Sequence, residues 1–206
     1  ILSQGALLAL SGEKKVALLV RDLPGVKVEI GRVLPGQLQH LVSQSSGKFS
    51  VPDFNGSFGP DNLIERFERK LPLPGLKHGS AHYEAVDLSD YLKQDGEERR
   101  GVFLLHVQGY DPASESGSPP AEPAPMAESG EGEGEGDGPA VEQVDPSQKL
   151  DRRLILVTDL GLIAKRETDG TQVVFVQSIA SGLPVAGASV DLIARNGATL
   201  GSQATD

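Results

Sequence analysis

The sequence predicts an all-β chain built as an antiparallel sandwich with one short inserted helix and one long acidic loop. Three observations lead there. Short β-branched or aromatic runs recur along the chain, Gly, Pro, Asp and Ser clusters separate them, and at least one run alternates cleanly between apolar and charged residues. Such a pattern suits a two-layer fold of the immunoglobulin or fibronectin kind.

The predicted strands are Lys15 to Val20, Val26 to Ile30, Ala81 to Leu88, Val102 to Val107, Leu154 to Val157, Val173 to Ile179 and Ser189 to Ala194. In Val26-Lys27-Val28-Glu29-Ile30 the side chains alternate, so Val26, Val28 and Ile30 should face a core while Lys27 and Glu29 face water. Val190 and Leu192 share a face in the last run, and Asn196-Gly197 follows it as a type I′ hairpin signal. An open strand edge at Val173 to Ile179 would make the isolated chain prone to association.

One segment departs from the β pattern. From Pro60 to Leu71 the apolar residues Leu63, Ile64, Phe67 and Leu71 fall on one helical face, with Glu65, Arg66, Glu68, Arg69 and Lys70 opposite. Pro60 suits a first turn, Asp61 suits the positive end of a helix, and Pro72 ends the run. The spacing predicts a short helix that plugs an open end of the sandwich.

The other departure is Asp111 to Gln148, which holds ten acidic residues, no basic one and a Gly-Glu repeat from Gly130 to Gly138. With no aromatic residue it buries too little to offset its ordering entropy, so it is expected to be a disordered loop. Because VFLLHV precedes it and RRLILV follows, it is expected to join two neighbouring strands of one sandwich. The formal charge of −10 comes from this segment; outside it 19 acidic residues meet 19 basic ones. A near-neutral folded part has no field to draw nucleic acid or an anionic membrane.

No catalytic, metal-binding or cofactor-binding constellation is legible. There is no cysteine, which removes disulfides, thiolate zinc sites and thiol nucleophiles together. No Gly-x-Ser-x-Gly elbow occurs, and the Gly-Glu repeat lacks the Lys-Ser/Thr of a phosphate loop. Of His40, His78, His82 and His106, the pair His82 and His106 lies in predicted strands and might have met across a sheet, but two ligands without a third make a poor metal site. The loop carboxylates lack the ligand order of an EF-hand. Asn55-Gly56-Ser57 fits a glycosylation acceptor formally and reads better as a tight turn. Asp159 and Gly161, in Thr158 to Leu162, read as a strand end or bulge that sets an angle between consecutive sandwiches.

There is no initiator Met, no leader and no apolar run long enough to cross a bilayer, and Asp206 falls one or two strands into a sandwich. The sequence therefore reads as a piece of a longer chain.

The stretch Leu154 to Asp206 carries the most specific wording, DLGL, then VFVQS, then G-x-P-V-A-G-A-x-V-x-L. It resembles the bacterial α2-macroglobulins, through Asp159-Leu160-Gly161-Leu162, Val174-Phe175-Val176, Gly182, Pro184, Gly187, Asn196-Gly197 and Thr205-Asp206. The resemblance implies a macroglobulin-like sandwich over residues 1–165, the second in the family's order, containing the acidic insert 111–148. Residues 166–206 would open the third domain, truncated after its first strands. It also implies a structural part of a periplasmic, broad-spectrum protease trap of bacterial defence, with an inner-membrane anchor through a lipidated N-terminus of the full-length protein. In that family a protease cleaves a bait segment, the molecule rearranges, and in many members a Cys-Gln thioester captures the attacker. This chain has no Cys to supply a thioester, the bait lies elsewhere in the family's order, and the acidic loop offers few Lys, Arg or large apolar residues to a protease. The implied partners are neighbouring macroglobulin domains of the same chain, target proteases through the full-length protein, and other periplasmic or envelope proteins. A rival reading is a protein-binding or adhesin-type module of another multidomain surface protein. The lack of Trp, with only Tyr83, Tyr91 and Tyr110 as tyrosines, weighs against a sugar-binding form of it.

Overall fold

The computed structural model describes residues 1–2, 6–9, 12–38, 62–94, 97–115 and 145–206. Their strands are β1 (Ala6–Ala9), β2 (Lys15–Arg21), β3 (Gly25–Val33), β4 (Leu63–Pro72), β5 (Ala81–Asp87), β6 (Lys93–Gln94), β7 (Glu97–Glu98), β8 (Gly101–Gly109), β9 (Leu150–Thr158), β10 (Leu160–Arg166), β11 (Gln172–Ser178), β12 (Ser189–Ile193) and β13 (Thr199–Ala204). Two one-turn helices, α1 (Ser89–Leu92) and α2 (Pro112–Glu115), interrupt them.

A five-stranded sheet in the order β1-β9-β8-β3-β4 packs on a two-stranded sheet of β2 and β5. All pairings are antiparallel except β1 with β9, which is parallel. The core between the layers follows from alternation. Val26, Val28 and Ile30 of β3, Phe103, Leu105 and Val107 of β8, and Ile155 and Val157 of β9 point inward to meet Val16, Leu18, Val20 and Val86. On the opposite face of the large sheet Lys27, Glu29 and His106 are part-exposed. A small second cluster, around Val33 and Leu154, covers one end of that outer face.

The expected helix over 60–71 is instead the edge strand β4, paired with β3 along its length. Leu63, Phe67 and Leu71 are spaced by four, and multiples of four fit one side of a strand as well as one side of a helix. Pro72 is tolerated because β4 is an edge. The inserted helix is α1, where the Asp87 carboxylate accepts a hydrogen bond from Ser89 N (2.9 Å) and Tyr91 and Leu92 become buried.

β8 and β9 are antiparallel neighbours, so the acidic segment does connect adjacent strands. Its ends are ordered as α2 and as a 3-10 turn at Pro146–Gln148, where the Asp145 carboxylate accepts from Ser147 N. The disorder expected for its centre, residues 116–144, lies outside the described residues, as do His40, Pro60, Asp61 and the Asn55-Gly56-Ser57 turn.

Beyond β9 come two hairpins, β10–β11 and β12–β13. Val190 and Leu192 share a face as expected. The turn after them is different: Gly197 has φ +87° while Asn196 does not take a positive φ, and Gly197 N donates to Ala194 O. This is a three-residue loop with one left-handed residue, not a type I′ pair.

Candidate functional site: the joint at Asp159

β9 passes into β10 through a single residue, Asp159, and every polar group there is used. Thr158 Oγ1 accepts from Leu160 N (2.9 Å), which turns the chain sharply out of β9. The Asp159 carbonyl accepts from Ile179 N (2.6 Å), and its two carboxylate oxygens accept from Ser178 Oγ (2.8 Å) and Ala180 N (3.0 Å). The start of β10 is thereby tied to the end of β11. Ser178 continues the chain of bonds, with Ser181 N donating to its Oγ and Gly182 N to its carbonyl.

A second hub sits at Thr205. Its Oγ1 donates to Val185 O (2.6 Å) and accepts from Ala188 N (2.9 Å), while its backbone pairs with Gly187 N and Ala188 O. Between the hubs the chain folds back along β11 through Val185 N to Val176 O and an isolated bridge from Gln177 to Pro184. Gly182 and Gly187 turn the segment with φ of +72° and +74°, values that a side chain disfavours. Asp159, Gly182, Pro184, Gly187 and Thr205, which carry the sequence resemblance, thus act as fasteners. The arrangement offers hydrogen bonding and rigidity; both Asp159 oxygens are already occupied by protein donors.

A second polar cluster closes one end of the core. Glu65 of β4 takes φ +52° at a bulge where the β3–β4 register shifts, and its carboxylate reaches Arg32 (2.5 Å) and Arg99 (3.3 Å). The Arg99 guanidinium lies 4.5 Å from the centroid of the Tyr91 ring and donates to Tyr91 O. Tyr91 packs in turn on Phe67 and edge-on against Phe103. Its hydroxyl and Arg32 Nε are buried without a hydrogen-bond partner. Burial raises the Tyr91 phenol to about 12, even with Arg99 beside it. The legible signal was Arg32 itself, which continues the inward parity of Val26, Val28 and Ile30.

The histidines do not converge. His82, in the small sheet, lies 3.3 Å from Glu84; His106, on the outer face of the large sheet, lies 3.1 Å from Glu29; His78 lies 3.1 Å from Asp22. Partial burial pushes the Glu29 carboxyl up, but bonds to Lys27 and His106 outweigh it and leave the group below its ordinary range. Lys27 is raised by the carboxylates of Glu29 and Glu68. Among the described residues no three His, Asp or Glu side chains come together as a metal site would need, and no helix is long and apolar enough to cross a membrane.

Comparison with known proteins agrees with the resemblance. The family profile described as "Bacterial alpha-2-macroglobulin MG3 domain" matches residues 157–206. An alpha-2-macroglobulin homolog of Yersinia pestis is 38% identical over 207 residues, covering 100% of this chain and 9% of that protein. The alpha-2-macroglobulin of Pasteurella multocida is 36% identical over 203 residues, covering 98% of this chain and 10% of that protein. The chain therefore spans about a tenth of the length of these relatives. Among solved structures, native alpha-2-macroglobulin from Escherichia coli spanning domains NIE-MG1 superposes with a TM-score of 0.57 at 18% identity, covering 98% of this chain and 80% of that one. A longer piece of the same protein, spanning MG0-NIE-MG1, gives 0.56 at 18% identity and covers 100% of this chain and 53% of that one. At that identity the likeness speaks for the sandwich fold alone. On the sequence match across its whole length, the chain belongs to the bacterial α2-macroglobulin family.

Proposed function

We propose that this chain is a structural part of a periplasmic protease trap, with no chemistry of its own. It contributes one macroglobulin-like sandwich, the second in the family's order, and the opening strands of the third. The observation that carries this reading is the joint. A one-residue link whose carbonyl and carboxylate are all hydrogen-bonded across the next hairpin transmits force and orientation, which a trap that rearranges on cleavage requires. The boundary that fits this role is Asp159, because the expected division at 165/166 falls inside β10 and would split a paired hairpin.

Target proteases act on the full-length protein, whose bait and capture groups lie outside these residues in the family's domain order. The proposed location is the periplasm, with anchoring to the inner membrane through a lipidated N-terminus of the full-length protein.

The test uses the full-length protein mixed with an excess-free amount of a protease. The expected result is that the protease keeps its activity on a small peptide substrate and loses it on a large protein substrate. Equal activity on both substrates, with and without the protein, would exclude the trap. Hydrolysis of either substrate by the protein alone would exclude a purely structural role.

A further inference from the structure

The β10–β11 hairpin is apolar on both faces. Its register sets Leu162 opposite Val176 and Ala164 opposite Val174, with Leu160 on the same side; on the other side Ile163 stands opposite Phe175 and Lys165 opposite Val173. A strand pair with one solvated face reads apolar on one side only, whereas strands covered on both sides read apolar throughout. The side with Val176 is the inner one, since Val176 is already 8% exposed. Phe175 and Ile163 remain 51% and 49% exposed, and the Lys165 ammonium stands 5.4 Å from the Phe175 ring centroid. No ion pair is seen for Lys165 among the described residues.

We propose that the Ile163–Phe175–Val173 face is a docking surface for another macroglobulin-like sandwich of the same full-length chain, one that presents an apolar patch bordered by a carboxylate. Three points select this occupant. A domain's own core covers one face of a hairpin, so the completion of the third sandwich accounts for Val176 and Leu162 and leaves Phe175 uncovered. The relatives are about ten times longer than this chain, and solved pieces of the family hold several domains in series, so sister sandwiches are at hand. Tethering supplies such a neighbour at an effective concentration on the order of millimolar, which a second molecule does not match. The lone ammonium over the aromatic ring asks for a carboxylate at the rim, where ion pairs set register more than affinity.

The surface rests on the scaffold reading, and its test is separable from it. In the full-length protein, the photo-reactive residue p-benzoylphenylalanine is placed at Phe175 and, in a second variant, at Leu162. The expected product at Phe175 is a cross-link within one molecule to a peptide of a different sandwich. At Leu162 the partner peptide should lie in the third domain itself, within about 100 residues of the joint. A cross-link from Phe175 into its own domain, a product of twice the mass, or no product at Phe175 while Leu162 reacts would each overturn the proposal. If that happens in a protein that still shields protease from large substrates, the trap reading stands and the surface alone is lost.

Discussion

Glu65 is a charged residue in a left-handed conformation, φ +52°, held there by Arg32 and Arg99. Two effects oppose each other at this position, backbone strain of about 1 kcal/mol and a shared carboxylate between two part-buried guanidiniums. Replacing Glu65→Ala removes the carboxylate and keeps the strain, for an expected loss of about 1 to 2 kcal/mol. Glu65→Gly removes both and should be less damaging by about 1 kcal/mol. Urea unfolding of the two variants checks the order, and Ala outperforming Gly would show that the bulge is not strained. Tyr91 behaves differently, because its hydroxyl is buried with no partner. Tyr91→Phe should leave stability at neutral pH within about 1 kcal/mol of the parent, since no hydrogen bond is lost. Its effect appears in alkali. The folded phenol titrates at about 12 against 10 in the unfolded chain, so the stability is fully present below 10 and falls as pH rises through that interval. The Phe variant should lack this loss in pH-dependent unfolding. Arg32 was readable in the sequence as a charge on a buried parity; the Glu65 and Arg99 partners were not, because a bulge and a loop bring them there.

Among the elements, β3 was readable because Val26 to Ile30 alternate without interruption, and β8 because VFLLHV is too short and too β-branched for a helix. β4 was not. Its apolar residues recur every four positions, a spacing shared by both periodicities, and its bulge moves Leu63 to the outer cluster while Leu71 stays with the core. As an edge strand it carries Glu65, Arg66, Glu68, Arg69 and Lys70, and such charges discourage edge-to-edge pairing. The return of the acidic segment depends on a close approach that residue types alone do not reveal. A Cβ on Gly109 would lie 2.4 Å from Pro146 O and 3.0 Å from Leu23 Cδ2. Gly109→Ala should therefore cost about 1 to 3 kcal/mol through forced backbone movement, measurable as a lower urea midpoint with an unchanged slope. Several element ends are set by carboxylates. Asp87, Asp145 and Asp169 are lowered by bonds from the Ser89, Ser147 and Thr171 segments, and Glu29 is lowered despite burial. Depressed carboxyls add stability above their unfolded values, near 4, and lose it as pH falls through the folded ones. Acid titration should show the chain weakening below about pH 4, and a flat profile from 5 to 2 would contradict these contacts.

At the scale of the whole molecule, a self-supporting sandwich is coupled to the opening of the next through Asp159. The family and the sandwich class were legible because the wording from Asp159 to Thr205 encodes fasteners and turns that few other sequences need together. The absence of a reactive constellation was equally legible, since cysteine is missing and the histidines are scattered. What escaped was the division at Asp159. Thr158 to Leu162 looks like a bulge in one strand, and only the pairing of β10 with β11 reveals that the chain has already changed sandwiches. The central claim is that this joint does mechanical work in the proposed trap. It is tested most directly by Asp159→Ala combined with Ser178→Ala in the full-length protein, with hydrogen exchange used to verify that β10–β11 has loosened. The account predicts that a protease still cleaves the bait at the parental rate but afterwards keeps its access to large substrates. Full shielding by the loosened variant would contradict it, and would make the joint a passive connection.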